Sequence, residues 1–259
     1  MKVPKYLLAS LAVTAILAGC QGGAPEDDAE MSSDESAVET TETPTTEVED
    51  RQLSEIETDD DSLAKILEQA EGIESYEAIL DLTAAVDGGQ PEKLEADVRF
   101  KDGDPPALHL MAEGEDRTIS KDGTTFYNNG TDWIDISDSI NVSQLYHVTY
   151  KNAVLSFADI KSELELEETD DELIYTLQGK SDAVFETFEA LFAVEFGNID
   201  TSQLTNDVEI IVDKQDSLIR SMAYDAEGED AEGTYELSGE VTFTSFNDIG
   251  EIALPEMAQ

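Results

Sequence analysis

The chain is poor in basic side chains, cysteine, histidine and tryptophan, and each scarcity removes a class of function. Only 14 Lys and Arg stand against 61 Asp and Glu, a formal net charge of −47 over 259 residues. A surface this acidic repels nucleic acid and anionic lipid headgroups, so both are poor partners. A single cysteine, Cys20, allows no disulfide framework within the chain. The two histidines, His109 and His147, are far apart and form no His-x-x-x-His pattern, which leaves a zinc centre without support. There is no Gly-x-Ser-x-Gly elbow and no glycine loop of the kind that cradles phosphate. With so many acids, any pair nominated for general acid–base catalysis would be arbitrary. The composition therefore points to a non-enzymatic protein with no metal and no cofactor.

What is present begins at the N-terminus. Lys2 and Lys5 precede an apolar run from Tyr6 to Leu17, too short to span a bilayer, which ends in Leu17-Ala18-Gly19-Cys20. A positive start, a short apolar core and small residues before the only cysteine resemble the lipobox of bacterial lipoproteins. That resemblance implies cleavage after residue 19 and diacylation of the Cys20 thiol by palmitate-type chains. A protein so modified is held at the extracytoplasmic face of the cell membrane. No later apolar run reaches transmembrane length, so the lipid on Cys20 is the expected membrane contact.

Residues 20–60 are mostly Gly, Ser, Thr, Pro and acid with few apolar side chains, as in Pro25-Glu26-Asp27-Asp28 and Thr40-Thr41-Glu42-Thr43-Pro44. Such a segment buries too little apolar surface to offset its ordering entropy, and it reads as an extended, self-repelling tether. The charge as a whole suits a salt-rich exterior and a halophilic host, because salt screens the self-repulsion.

Residues 61–259 carry the pattern of a folded domain. Leu63, Ile66, Leu67 and Ala70 fall at helical spacing between a cap at Asp61-Ser62 and a stop at Gly72. Strict alternation follows. Tyr76, Ala78, Leu80, Leu82, Ala84 and Val86 share one face, and after Gly88-Gly89 so do Leu94, Ala96, Val98 and Phe100. Further strands are expected at 107–112, 117–120, 125–127 and 133–136, and a helical stretch at 140–160. Strands are also expected at 164–166 and 173–177, around Glu168 to Asp171. A second amphipathic helix, capped by Ser181 or Asp182, aligns Val184, Phe185, Phe188, Leu191 and Phe192. Strands at 208–212, 218–224 and 235–246 close the domain, the last two flanking an acidic loop from Asp225 to Gly233. Ile249, Ile252 and Leu254-Pro255 look like an edge docking onto the sheet. The acidic groups Asp170 to Glu172 and Asp225 to Asp230 lack the spacing of an EF-hand and read as solvated loops.

This order of elements, with Ile119-Ser120-Lys121-Asp122-Gly123, Tyr127, Gly130 and Trp133 in its central hairpins, is similar to the LolA-like and LppX-like lipoprotein superfamily. The resemblance implies an α+β fold, a strongly curved antiparallel sheet forming an open half-barrel with helices packed on its concave face. It also implies a non-enzymatic carrier of a lipid or other apolar ligand between sheet and helices. Phe185, Phe188, Leu191 and Phe192 on the helix, with Leu80, Leu82 and Val98 on the strands, are the candidate cavity lining. The same residues could equally fill the core of a surface structural or protein-interaction module without a ligand. The residues name no protein partner.

Overall fold

In the computed structural model, the described residues are 51–86, 89–194, 196, 199–229 and 233–255. Cys20 and the tether up to residue 50 lie outside them, as do Gly88 of the expected turn and residues 230–232. Eleven antiparallel strands make one open sheet in the order β6-β5-β4-β3-β2-β1-β11-β10-β9-β8-β7. They are β1 (Ser75–Val86), β2 (Glu92–Lys101), β3 (Ala107–Ala112), β4 (Glu115–Lys121), β5 (Thr124–Asn128) and β6 (Trp133–Asp135) in the first half. The second half holds β7 (Glu165–Glu168), β8 (Glu172–Gly179), β9 (Thr205–Asp213), β10 (Ile219–Glu229) and β11 (Thr234–Thr244).

The path explains where the helices lie. The chain starts in the middle of the sheet at β1 and meanders outward to the edge strand β6. It then crosses through α2 (Val142–Leu145) and α3 (Tyr150–Ile160) to the opposite edge, β7. From β7 it meanders back until β11 pairs with β1 along Glu77–Val86. The crossover must span the sheet, and the face it covers is the apolar, concave one. Tyr76, Ala78, Leu80, Leu82 and Ala84 are buried there, while the intervening Ile79 is 57% exposed on the other face. Opposite Tyr76 stands Phe100, and opposite Leu82 stands Leu94, so β1 and β2 pair antiparallel, as an antiparallel sheet requires.

Two further helices complete the lid, α1 (Asp61–Glu71) and α4 (Asp182–Phe192). Their caps are local. Asp60, one residue earlier than expected, accepts from the Leu63 N–H at 2.8 Å; Ser181 accepts from the Val184 N–H at 3.2 Å. Phe188 lies flat on Tyr224, ring centroids 4.2 Å apart, and Phe157 meets Tyr175 edge-on at 4.9 Å. Asn206, wholly buried, ties this region together. It accepts from the Tyr224 hydroxyl at 2.6 Å and donates to the Gly179 and Ser181 carbonyls.

Three expectations are corrected. Part of the expected tether packs on the domain: Leu53 is buried in the core, and Arg51 makes a two-pronged contact with Asp159 of α3. Acid and polar content around these residues hid the single leucine that anchors them. Asp225–Glu229 is strand, not loop, because Tyr224 and Ala226 keep the buried alternation while the acids point outward. Finally, among the described residues after β11, 245–255, none forms an edge strand. Asn247 accepts from the Glu74 and Ser75 N–H groups and donates to the Gly72 carbonyl. Beyond it the chain crosses the convex face, where Glu251 pairs with Lys121 and a β-carbon on Gly250 would stand 3.3 Å from the Arg99 guanidinium. Ile252 and Ile119 are both buried, apart from the main core.

Candidate ligand sites between the sheet and the helices

The predicted lining residues divide into two sets. Phe185, Phe188 and Val98 are sealed in the core, each at most 2% exposed, and Leu191, equally buried, edges a separate pocket beside Ala183, Glu186 and Ala190. Leu80, Leu82 and Phe192, by contrast, line a narrow cavity of about 40 Å³ with Leu94, Ala96, Leu110, Leu145 and Val148. That space has room for about one or two waters and is mostly apolar, with Gln144 and His147 also in its lining. At its far end Phe192 sits directly over Gly239, where a β-carbon would lie 2.5 Å from the ring.

A much larger space opens beside it. A cleft of about 570 Å³ lies between the start of β1, the end of β2, α1 and the beginning of α3. Its apolar walls are Leu53, Ile73, Tyr76, Phe100, Tyr146 and Tyr150; Glu71, Asp102 and Lys151 stand among its polar lining. This volume falls in the range of small-molecule sites, roughly 300–1,000 Å³. Tyr146 and His147, on the link between α2 and α3, line both the cleft and the small cavity. The link is thus the wall between them.

The link is held at both ends. Asn141 caps α2 by accepting from the Gln144 N–H, and Thr149 caps α3 by accepting from the Asn152 N–H. Tyr150 fixes the start of α3 to the sheet: its N–H donates to the Tyr76 hydroxyl and its own hydroxyl accepts from the Ile219 N–H, both at 3.0 Å. Burial pushes the Tyr76, Tyr146 and Tyr150 hydroxyls well above the ordinary tyrosine range, so all three stay neutral.

The cleft was not among the candidate residues read from sequence. Its aromatic walls come from β1, β2 and the α2–α3 link, which are distant in the chain, and Leu53 sits inside the composition of a tether. The one available signal was Tyr146 and Tyr150 four residues apart in an irregular stretch. The histidines do not converge: His109 is on the convex face, 2.7 Å from Asp116, while His147 is on the link. Among the described residues no group of three or more His, Cys, Asp or Glu is placed to hold a metal.

Fold and clefts define an α+β domain with an open, curved antiparallel sheet lidded by helices, the architecture expected of a LolA-like lipoprotein domain. No family model matches the sequence, and no curated protein matches it either. Among solved structures the chain is similar to a LolA superfamily protein from Nitrosomonas europaea, at 15% identity over 75% of this chain and 96% of that one, TM-score 0.27. It is also similar to LprF from Mycobacterium bovis, at 12% identity over 75% and 96%, TM-score 0.39. A third is the MucA/MucB complex of Pseudomonas aeruginosa, at 14% identity over 77% and 61%, TM-score 0.33. At these values the fold description rests on the strand order and register given above.

Proposed function

We infer that the protein is a lipoprotein anchored through Cys20 at the extracytoplasmic face of the cell membrane, and that its domain binds a lipid or other apolar ligand without catalysing a reaction. The observation that carries the binding role is the shared wall. A single short link, Tyr146 to Val148, separates an open cleft of about 570 Å³, with aromatic walls, from a small, mostly apolar cavity on the sheet. An acyl chain entering the cleft would bury methylenes against Tyr76, Phe100 and Tyr150 at about 0.8 kcal/mol each. Outward movement of the link would let the chain continue over Leu80, Leu82 and Leu94.

A second reading keeps the domain as a structural or interaction module. The observation favouring it is the tight contact under α4, where Phe188 stacks on Tyr224 and Phe192 fills the space above Gly239. Native mass spectrometry with lipid extraction separates the two. The full chain carrying Cys20→Ser, which has no acyl group of its own, should copurify with or take up about one apolar ligand. An empty protein that ignores acyl probes leaves the module. The same variant tests the anchor, since it should leave the membrane fraction; undiminished retention there refutes lipidation.

A further inference from the structure

Two buried side-chain polar atoms among the described residues meet no hydrogen-bond partner, Arg99 Nε and the Tyr146 hydroxyl. Arg99 has a neighbour of opposite charge, the Glu77 carboxylate 3.6 Å away on the convex face. The Tyr146 hydroxyl has no such account. It lies inside the protein with the Tyr76 hydroxyl as a weak hydrogen-bonding neighbour, close enough to affect its pKa but short of full hydrogen-bond geometry. Burying an unpaired hydroxyl is costly, and phenylalanine at the same place would fill the same space without that cost. The Tyr76 hydroxyl is already engaged by the Tyr150 N–H, and that of Tyr150 by the Ile219 N–H. Of the three tyrosines around the cleft, Tyr146 is the one whose hydroxyl oxygen receives no backbone N–H.

We propose that Tyr146 recognises the polar end of the ligand, and that the ligand is a neutral amphiphile carrying a hydroxyl or ester head on an apolar body. This rests on the cleft being the ligand site. The surroundings supply both halves of the recognition. The Tyr146 ring stands 6.1 Å from that of Phe100, which in turn stacks on Tyr76 at 5.4 Å, so aromatic rings surround that hydroxyl. Charge sets the class of head. Glu71 and Asp102 stand in the lining against Lys151, within a chain of net charge −47, so an anionic head is repelled where a neutral one is not.

The test compares the full chain carrying Cys20→Ser with the same chain carrying Tyr146→Phe as well. The probes are a long-chain monoacylglycerol and the alkane of equal chain length, delivered from cyclodextrin. Loss of one hydrogen bond to the head should weaken monoacylglycerol binding about tenfold and leave alkane binding unchanged. The melting midpoint of the ligand-free protein should not fall, since an unpaired hydroxyl has been removed. A lower midpoint would mean that Tyr76 engages the hydroxyl in solution, which overturns the proposal. Equal effects on both probes, or none on either, overturn it as well while the cleft survives as a ligand site. If the unsubstituted Tyr146 chain binds neither probe, the ligand-binding function itself fails.

Discussion

The ring of Phe192, the last residue of α4, occupies the place that a side chain on Gly239 of β11 would take. A β-carbon there would come within 2.5 Å of two ring atoms. Gly239 is on the buried face between Leu237 and Val241, where alternation alone calls for an apolar residue. Its backbone is extended, so alanine meets no conformational obstacle, only the ring. Gly239→Ala should therefore destabilise by overpacking, about 1–3 kcal/mol in denaturant melts. Shortening the ring, as in Phe192→Leu, should recover part of the loss in the double variant. If the two substitutions simply add, the helix end is not seated on that glycine.

The strands were largely legible because their pattern had a physical cause. Half-buried antiparallel strands alternate, and Tyr76 to Ala84 and Leu94 to Phe100 do so, with the exposed Ile79 as the exception. Where the signal failed, burial depended on partners distant in sequence. Leu53 is one apolar residue in an acidic run, and only the packed domain shows that it is core. Ile252 is buried by crossing the back of the sheet, which no local period encodes. The stripe on α4 was visible, but whether it packs or lines a cavity depends on the opposing surface. Gly239 and Tyr224 decide it for Phe192 and Phe188.

Tyr150 joins the crossover to both halves of the sheet through two buried hydrogen bonds. Tyr150→Phe keeps the ring packed against Phe243 and Phe246 but leaves the Ile219 N–H, at the bulge in β10, without its acceptor. An orphaned buried donor costs about 1–3 kcal/mol. Chemical denaturation should show that loss. A variant as stable as the parent would mean that water or another group reaches Ile219.

The acids on the convex face are not evenly spread. Asp81 stands opposite Glu95 on β2 and Glu240 on β11, all three exposed, so one row carries three like charges side by side. Like charges directly opposite destabilise a sheet, on the order of 0.2–1 kcal/mol per pair. Asp81→Asn should raise the melting midpoint at low salt, and the gain should shrink as salt shortens the Debye length to about 10 Å and below. The parent protein should itself become more stable over the same range. A midpoint that ignores salt in both proteins would mean that the row is already compensated.

Asp60 carries the pH dependence that can be assigned to one residue. Its carboxylate accepts from Lys161 Nζ, the Ser62 hydroxyl and the Leu63 N–H, joining the start of α1 to the end of α3. The Lys161 contact first, then the other two donors, hold its pKa far below the ordinary carboxylate range. A group depressed in the folded state stabilises above its unfolded pKa, about 3.9, and that contribution is lost as pH falls through the folded value. The folded protein should therefore lose stability on acidification below about pH 4, in part through this residue. Asp60→Asn keeps a capping oxygen for Leu63 but cannot titrate, so its stability curve should be flatter in that acid window. Asp60→Ala should lose the cap as well, about 1 kcal/mol at neutral pH. If Asp60→Asn and the parent fall in parallel below pH 4, the acid response belongs to other carboxylates, and the link between α1 and α3 contributes little to it.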